Sequence, residues 1–500
     1  MDLTLDRKAI FAAVEKLRLR TKAFINGKFT PASSGRTFAS LNPANGRKIS
    51  DIAACGVEDV DAAVKAARAS FEKGSWSRLK PGERKRILLK YVEVLEAHAM
   101  EIALLDSLDA GKPIFDCVNI DIPDTIHCIQ WHAELIDKIY DRIAPAGLES
   151  VAMIVREPIG VVGLLVPWNF PAQMTAWKIG PALAAGNSLV LKPARQTSLS
   201  ALRMAELASE AGVPDGVFNV LPGSGEEVGQ AICRHMDVDM VAFTGSTAVG
   251  RQLLHYSAES NLKRVILELG GKSPQVVLMD APDLDIVAQN AVSAAFWNMG
   301  ENCSAGSRLI VPRKLKDDLL KKIVALVAPW PIGDQLDPDT RVGPLIGKDH
   351  MQKVLDYIES GRQEGAKVVH GGNQVLQETG GNFVQITIFD EVGPEMKIAR
   401  EEIFGPVLAV MPVDREEDAV TIANDTRYGL AASMYTRDIN KAHRIARALR
   451  AGTVSVNCYS EGDLTTPFGG FKESGFFGRD KSICAHEQYT ELKTIWMQIS

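Results

Sequence analysis

Long apolar runs are absent from this 500-residue sequence. None approaches the ~18 residues that a membrane-spanning helix needs, and the opening Met1-Asp2-Leu3-Thr4-Leu5-Asp6 is charged and lacks the apolar centre of a secretory leader. The expectation is a cytoplasmic chain that makes no use of a membrane. Cysteine is scarce and odd in number: Cys55, Cys117, Cys128, Cys233, Cys303, Cys458 and Cys484. None of the seven forms a CxxC pair, which argues against a disulfide framework and a zinc knuckle, so no metal site is expected. Most of these thiols should be small buried hydrophobes. Positive charge is also short, with 56 Lys and Arg against 62 Asp and Glu and a net charge of -6. Without a basic run or field, nucleic acid is not expected as a partner. Internal repeats and low-complexity tracts are missing as well.

What is present is an ordinary globular composition, 46% hydrophobic and 24% charged, long enough for two or three domains with their own cores. Short β-rich runs alternate with helical patterns: a strand over 160–166, a helix over 177–185, a strand over 188–191, a helix over 202–211 and a strand over 218–220. The pattern resumes with a strand over 274–278 and a helix over 284–297 that leads toward Cys303. Such alternation marks βαβ units and parallel sheets, so two α/β lobes with a site between them are predicted. The tail, with Tyr489-Thr490-Glu491-Leu492-Lys493-Thr494-Ile495-Trp496, reads as a strand that needs an edge to pair with.

Three segments carry chemistry in a fixed order. They are Pro167-Trp168-Asn169-Phe170-Pro171, then Glu268-Leu269-Gly270-Gly271-Lys272, then Gly300-Glu301-Asn302-Cys303-Ser304. Small and polar neighbours place Cys303 in a loop, and a thiolate there is a competent nucleophile toward a carbonyl. Order and spacing together resemble the signature segments of the NAD(P)-dependent aldehyde dehydrogenase superfamily. Within it the sequence is most similar to bacterial enzymes acting on amino- or guanidino-substituted butyraldehydes.

The resemblance implies an α/β fold with a Rossmann-like parallel-sheet cofactor domain (1–139 and 159–270), a second α/β catalytic domain (271–470) and a small β oligomerisation arm (140–158 and 484–500). It implies a homodimer or homotetramer. It makes Cys303 the nucleophile, Glu268 the general base and Asn169, with the Cys303 N–H, the donor to the oxyanion. Lys192, Gly245, Ser246, Gly250, Glu402, Phe404 and Trp168 are implied on the NAD or NADP side, with Gly245 and Gly250 admitting the pyrophosphate to a helix N-terminus. Two departures stand out. Glu301 occupies a position usually held by Gln and adds a negative charge near the thiol. Arg195 stands where NAD-preferring members carry Glu, so NADP should be accepted through a guanidinium–phosphate pair, unless Arg195 turns to solvent.

The substrate is expected to be a small aldehyde with a cationic end. Asp121 and Asp124, three apart on a helix, resemble an acidic pair at the tunnel of plant aminoaldehyde dehydrogenases, and Glu461 and Asp463 would add charge at its mouth. Read without the resemblance, Asp121 and Asp124 are equally a helix start. Phe170, Trp177, Trp297 and Tyr459 are expected to line the tunnel. Broad aliphatic or betaine aldehyde oxidation is the alternative within this class, and a non-catalytic crystallin-like protein the alternative outside it.

Overall fold

Strands buried along their whole length need cover on both faces, which parallel sheets flanked by helices supply. In the computed structural model, which describes residues 6–499, Val161–Leu165, Ser188–Lys192 and Met240–Thr244 are buried throughout. The Met1 to Leu5 part of the leader reading lies outside the described residues. Five parallel strands run in the order Phe218–Val220, Ser188–Lys192, Val161–Leu165, Met240–Thr244, Arg264–Glu268. The order reverses direction between Val161–Leu165 and Met240–Thr244, and a doubly wound sheet opens a crevice at the carboxyl ends of the two strands at such a point. Antiparallel strands close both edges of this sheet, Ala23–Ile25 with Lys28–Thr30 on one side and Gly475–Phe476 on the other.

A second sheet of seven strands is parallel from Thr387–Asp390 through Val407–Val413, Arg308–Pro312, Pro274–Val277 and Ala431–Tyr435 to Thr453–Val456, with Lys367–His370 antiparallel at one edge. A separate core of Val, Ile, Leu and Phe, including Phe296, Leu309 and Phe389, packs around it. The expected pair of α/β lobes is therefore present. A third, three-stranded antiparallel sheet joins Thr490–Gln498 to Ser150–Pro158 and Arg142–Ala144. The tail strand thus finds the edge it needed. Its outer positions remain open, with Leu492 68% and Trp496 62% exposed.

Two helices aim the site. Pro171–Ala185 is buried along its length, begins on Pro171 and ends on left-handed Gly186, the proline-first, glycine-last pattern that fixes both ends of a helix. Its first turn gives the Ala172 N–H to Asp106 at 3.0 Å. Thr247–Ala258 starts on Ser246, whose hydroxyl accepts from the Val249 N–H. No helix among the described residues is long and apolar enough to cross a membrane. Nor does any cluster of metal-ligating side chains occur among them.

Candidate active site

The carboxyl ends of the Val161–Leu165, Met240–Thr244 and Arg264–Glu268 strands open on one cavity of ≈ 240 Å³, closed from the other side by Asn302, Cys303, Glu402 and Phe404. Asn169, Glu268 and Cys303 all line it, so the three signature segments meet.

Cys303 arrives there by an unusual backbone. The helix Leu284–Phe296 stops, and Asn298, Met299 and Gly300 follow with φ of 51°, 54° and 70°. Two non-glycine residues in the left-handed region are costly and persist only where surroundings enforce them. Here the Asn298 side-chain amide donates to the carbonyls of Asn169 at 2.9 Å and Glu301 at 3.1 Å. The Asn169 amide also donates to the Glu301 carbonyl, at 2.9 Å. One Nδ2 hydrogen is thereby spent on positioning, and the other stays available to an oxygen in the cavity. Asn298 escaped the sequence reading because it lies just past the helix expected over 284–297, where nothing local marks a left-handed turn.

Glu301 does not confront the thiol. Its backbone faces the site, while its carboxyl, 1% exposed, accepts from the Ile346 N–H at 3.1 Å. Burial drives its pKa well above the usual carboxylate range, which favours the neutral form, and the carboxyl is turned toward the Ile346 N–H. His350, unnoticed in the sequence, lies 3.5 Å from that carboxyl and donates Nε2–H to the Phe404 carbonyl at 2.6 Å. Burial lowers its pKa to about 4. Trp168 packs edge-on against both His350 and Phe404, with centroids at 5.3 Å in each case.

Glu268 is buried with both carboxyl oxygens. Burial raises its pKa well above normal, and the Asp480 charge adds to this. Asp480 is held by the Lys178 ammonium at 2.7 Å in a fully buried pair. Lys178 carries no signal in the sequence that would mark it as part of the site. The thiol of Cys303 is also pushed up, first by burial and then by Glu461, Glu402 and Glu268.

On the dinucleotide side, Gly245 and Ser246 line the cavity at a helix N-terminus, and Glu402 accepts from the Gly271 N–H at 2.9 Å. Lys192 is buried, donates to the Pro193 carbonyl at 2.7 Å, and has its pKa lowered by burial to about 8. Arg195 is exposed, its guanidinium 4.9 Å over the Phe38 ring. Gly250 corrects one expectation: it lies inside the helix, where a Cβ would strike the side chain of Leu269. It permits close packing of helix on sheet and does not open a path for pyrophosphate.

The cation-binding expectation also needs correction. Asp121 and Asp124 do not share an open acidic face. Asp121 is fully buried and paired with Lys112 at 2.5 Å. Burial lifts its pKa to about 7 against the opposing Lys112 charge. The Lys112 ammonium lies 3.6 Å from the Phe170 ring centroid, under the tunnel wall. Asp124 stands behind that wall, accepting from Gln173 at 2.7 Å and Trp177 at 2.9 Å. Phe170, Trp177 and Trp297 do line the cavity, as does Glu461. Tyr459 backs it instead, bonded to Asn302 and Ser304, and Asp463 is used in a turn with Thr465.

Comparison with known proteins shows the family. The aldehyde dehydrogenase family model matches residues 29–495. The aminoacetaldehyde dehydrogenase of Pseudomonas aeruginosa is 56% identical over 99% of both chains, and the NADP/NAD-dependent aldehyde dehydrogenase PuuC of Escherichia coli is 47% identical over 97% of both. The indole-3-acetaldehyde dehydrogenase of P. syringae, solved with NAD+ and IAA, superposes with a TM-score of 0.97 at 51% identity, covering 99% of this chain and 100% of that one. The chain belongs to the aldehyde dehydrogenase family. It is a nicotinamide-dependent oxidoreductase that converts aldehydes to carboxylic acids.

Proposed function

We propose that this enzyme oxidises short aldehydes carrying an ammonium or guanidinium group, through a thioester on Cys303. The observation that supports it is the convergence of Cys303, Glu268 and the Asn169 amide on one aromatic-walled cavity that also holds the Glu461 carboxylate. The Cys303 sulfur adds to the carbonyl carbon, and the charge that develops on oxygen is met by the free Asn169 Nδ2–H and the Cys303 N–H. Bound NAD supplies the acceptor for the hydride that leaves this carbon. Glu268, raised by burial, takes a proton from water, and the water attacks the thioester to release the acid and restore the thiol. The fit to the dinucleotide rests on the Ser246-capped helix N-terminus, the buried Lys192 and the Trp168–Phe404 wall. With Arg195 turned outward over the Phe38 ring, the support for NADP beside NAD is PuuC, a relative named for both cofactors. The Leu492 and Trp496 side chains exposed on the arm support a homodimer or homotetramer.

The test is a panel of 4-aminobutyraldehyde, 4-guanidinobutyraldehyde, betaine aldehyde, succinic semialdehyde, indole-3-acetaldehyde and propanal, each with NAD and NADP. Cationic aldehydes should have the highest kcat/KM, and Cys303→Ala should abolish turnover of all of them. Preference for the anionic semialdehyde would overturn the substrate reading. The facing Phe170–Trp297 and Trp177–Phe468 ring pairs, at 5.1 and 5.4 Å, favour a second reading, a neutral aromatic aldehyde, for which indole-3-acetaldehyde is the probe.

A further inference from the structure

Glu461 is tied to both residues that flank the nucleophile. Its Oε1 accepts from the Ser304 hydroxyl and, at 3.4 Å, from the Asn302 side-chain amide. Tyr459 joins the same set, its hydroxyl accepting from Asn302 at 2.9 Å and lying 3.1 Å from Ser304 Oγ. From the other side the buried Lys481 ammonium donates to the backbone carbonyls of Glu461 at 2.9 Å and Gly462 at 3.3 Å, while lying 5.0 Å from the Trp177 ring centroid. The carboxylate therefore moves with Asn302-Cys303-Ser304 and not with a loose loop.

Its charge is felt at the sulfur. Three carboxyls, Glu461, Glu402 and Glu268, oppose ionisation of the Cys303 thiol, and Glu461 does so most strongly after burial itself. Glu402 is engaged by the Gly271 N–H, and Glu268 is held toward its neutral form by burial and Asp480. Across the cavity stands Lys353, and Asp480 is offset by Lys178. Glu461 Oε2 is left without a hydrogen-bond partner among the described residues, in the wall of the cavity where an aldehyde must pass.

We propose that a cationic group on the aldehyde pairs with Glu461 and, by cancelling a negative charge bonded to both residues that flank the nucleophile, promotes formation of the Cys303 thiolate, so that the substrate helps to activate the residue that attacks it. This rests on the cationic-substrate reading above and adds a reason for selectivity in the chemical step itself. The thiol proton leaves to solvent through the cavity. A neutral aldehyde meets the same thiol with Glu461 offset only by the Lys481 ammonium.

The experiment is alkylation of Cys303 by iodoacetamide, followed by peptide mass from pH 6 to 10, with millimolar guanidinium chloride or with potassium chloride at equal ionic strength. In the wild type, guanidinium should raise the rate at pH 7 by on the order of tenfold, the effect of neutralising one charge near a partly buried thiol. Glu461→Gln should alkylate faster than wild type without guanidinium and show no response to it, whereas Glu461→Asp should keep the response. A wild-type rate indifferent to guanidinium, or a response that survives in Glu461→Gln, overturns the proposal. The substrate reading fails separately, if 3-aminopropanal has no higher kcat/KM than propanal in the wild type.

Discussion

Asn169 spends one amide hydrogen on the Glu301 carbonyl and holds the other toward the cavity. Asn169→Ala should therefore lower kcat by about 10²–10³-fold with KM little changed, because the lost donor acts chiefly on the transition state. Steady-state kinetics on any accepted aldehyde checks this. Glu268 works only as the carboxylate and its pKa is raised, so thioester hydrolysis should climb with pH above the ordinary carboxylate range. That climb should vanish in Glu268→Gln, measured as single-turnover acid release across pH. Arg195→Glu replaces an exposed guanidinium by a carboxylate that repels a 2′-phosphate; kcat/KM with NADP should fall by about tenfold relative to NAD. At this scale the sequence showed clearly which side chains meet in the cavity, since Cys303, Glu268 and Asn169 sit in recognisable segments. It did not show which polar groups are already engaged. Asp121 looks like an available acid until Lys112 is found 2.5 Å away, nine residues back in the chain.

The loop from Trp297 to Cys303 is the element on which the site turns. Gly271 presses against it: a Cβ there would overlap the Cys303 carbonyl. Gly271→Ala should cost about 1–3 kcal/mol of stability by overpacking and reduce kcat further by displacing the nucleophile, which thermal unfolding and kinetics report separately. Strand and helix positions were legible because they depend on local periodicity: Phe218–Val220 matches the sequence reading, and Ser188–Lys192 and Leu284–Phe296 differ from it by one residue at one end. The left-handed turn at Asn298 and Met299 was not. It is imposed by contacts with Asn169, well over a hundred residues earlier, and a window of local sequence has no access to them. Gly250 teaches the same lesson, since its spacing from Gly245 suggested phosphate and its packing against Leu269 shows a helix–sheet contact.

Across the whole molecule, the antiparallel arm presents Leu492 and Trp496 on the same side of one strand, two-thirds exposed. Trp496→Asp should shift the enzyme toward smaller species in sedimentation velocity if this face joins subunits, and an unchanged distribution would remove the arm from assembly. The sequence showed a strand in need of an edge there, but partner strand and register came from pairing across more than three hundred residues. The segment before the arm returns to the first sheet, where Gly475–Phe476 lies against the strand that ends in Glu268. Arg264, at the start of that same strand, donates to the carbonyls of Gln488 and Thr490. The strand that carries the general base is therefore tied at its carboxyl end by Gly475–Phe476 and at its start by Gln488 and Thr490, so its placement depends on segments more than two hundred residues further along the chain.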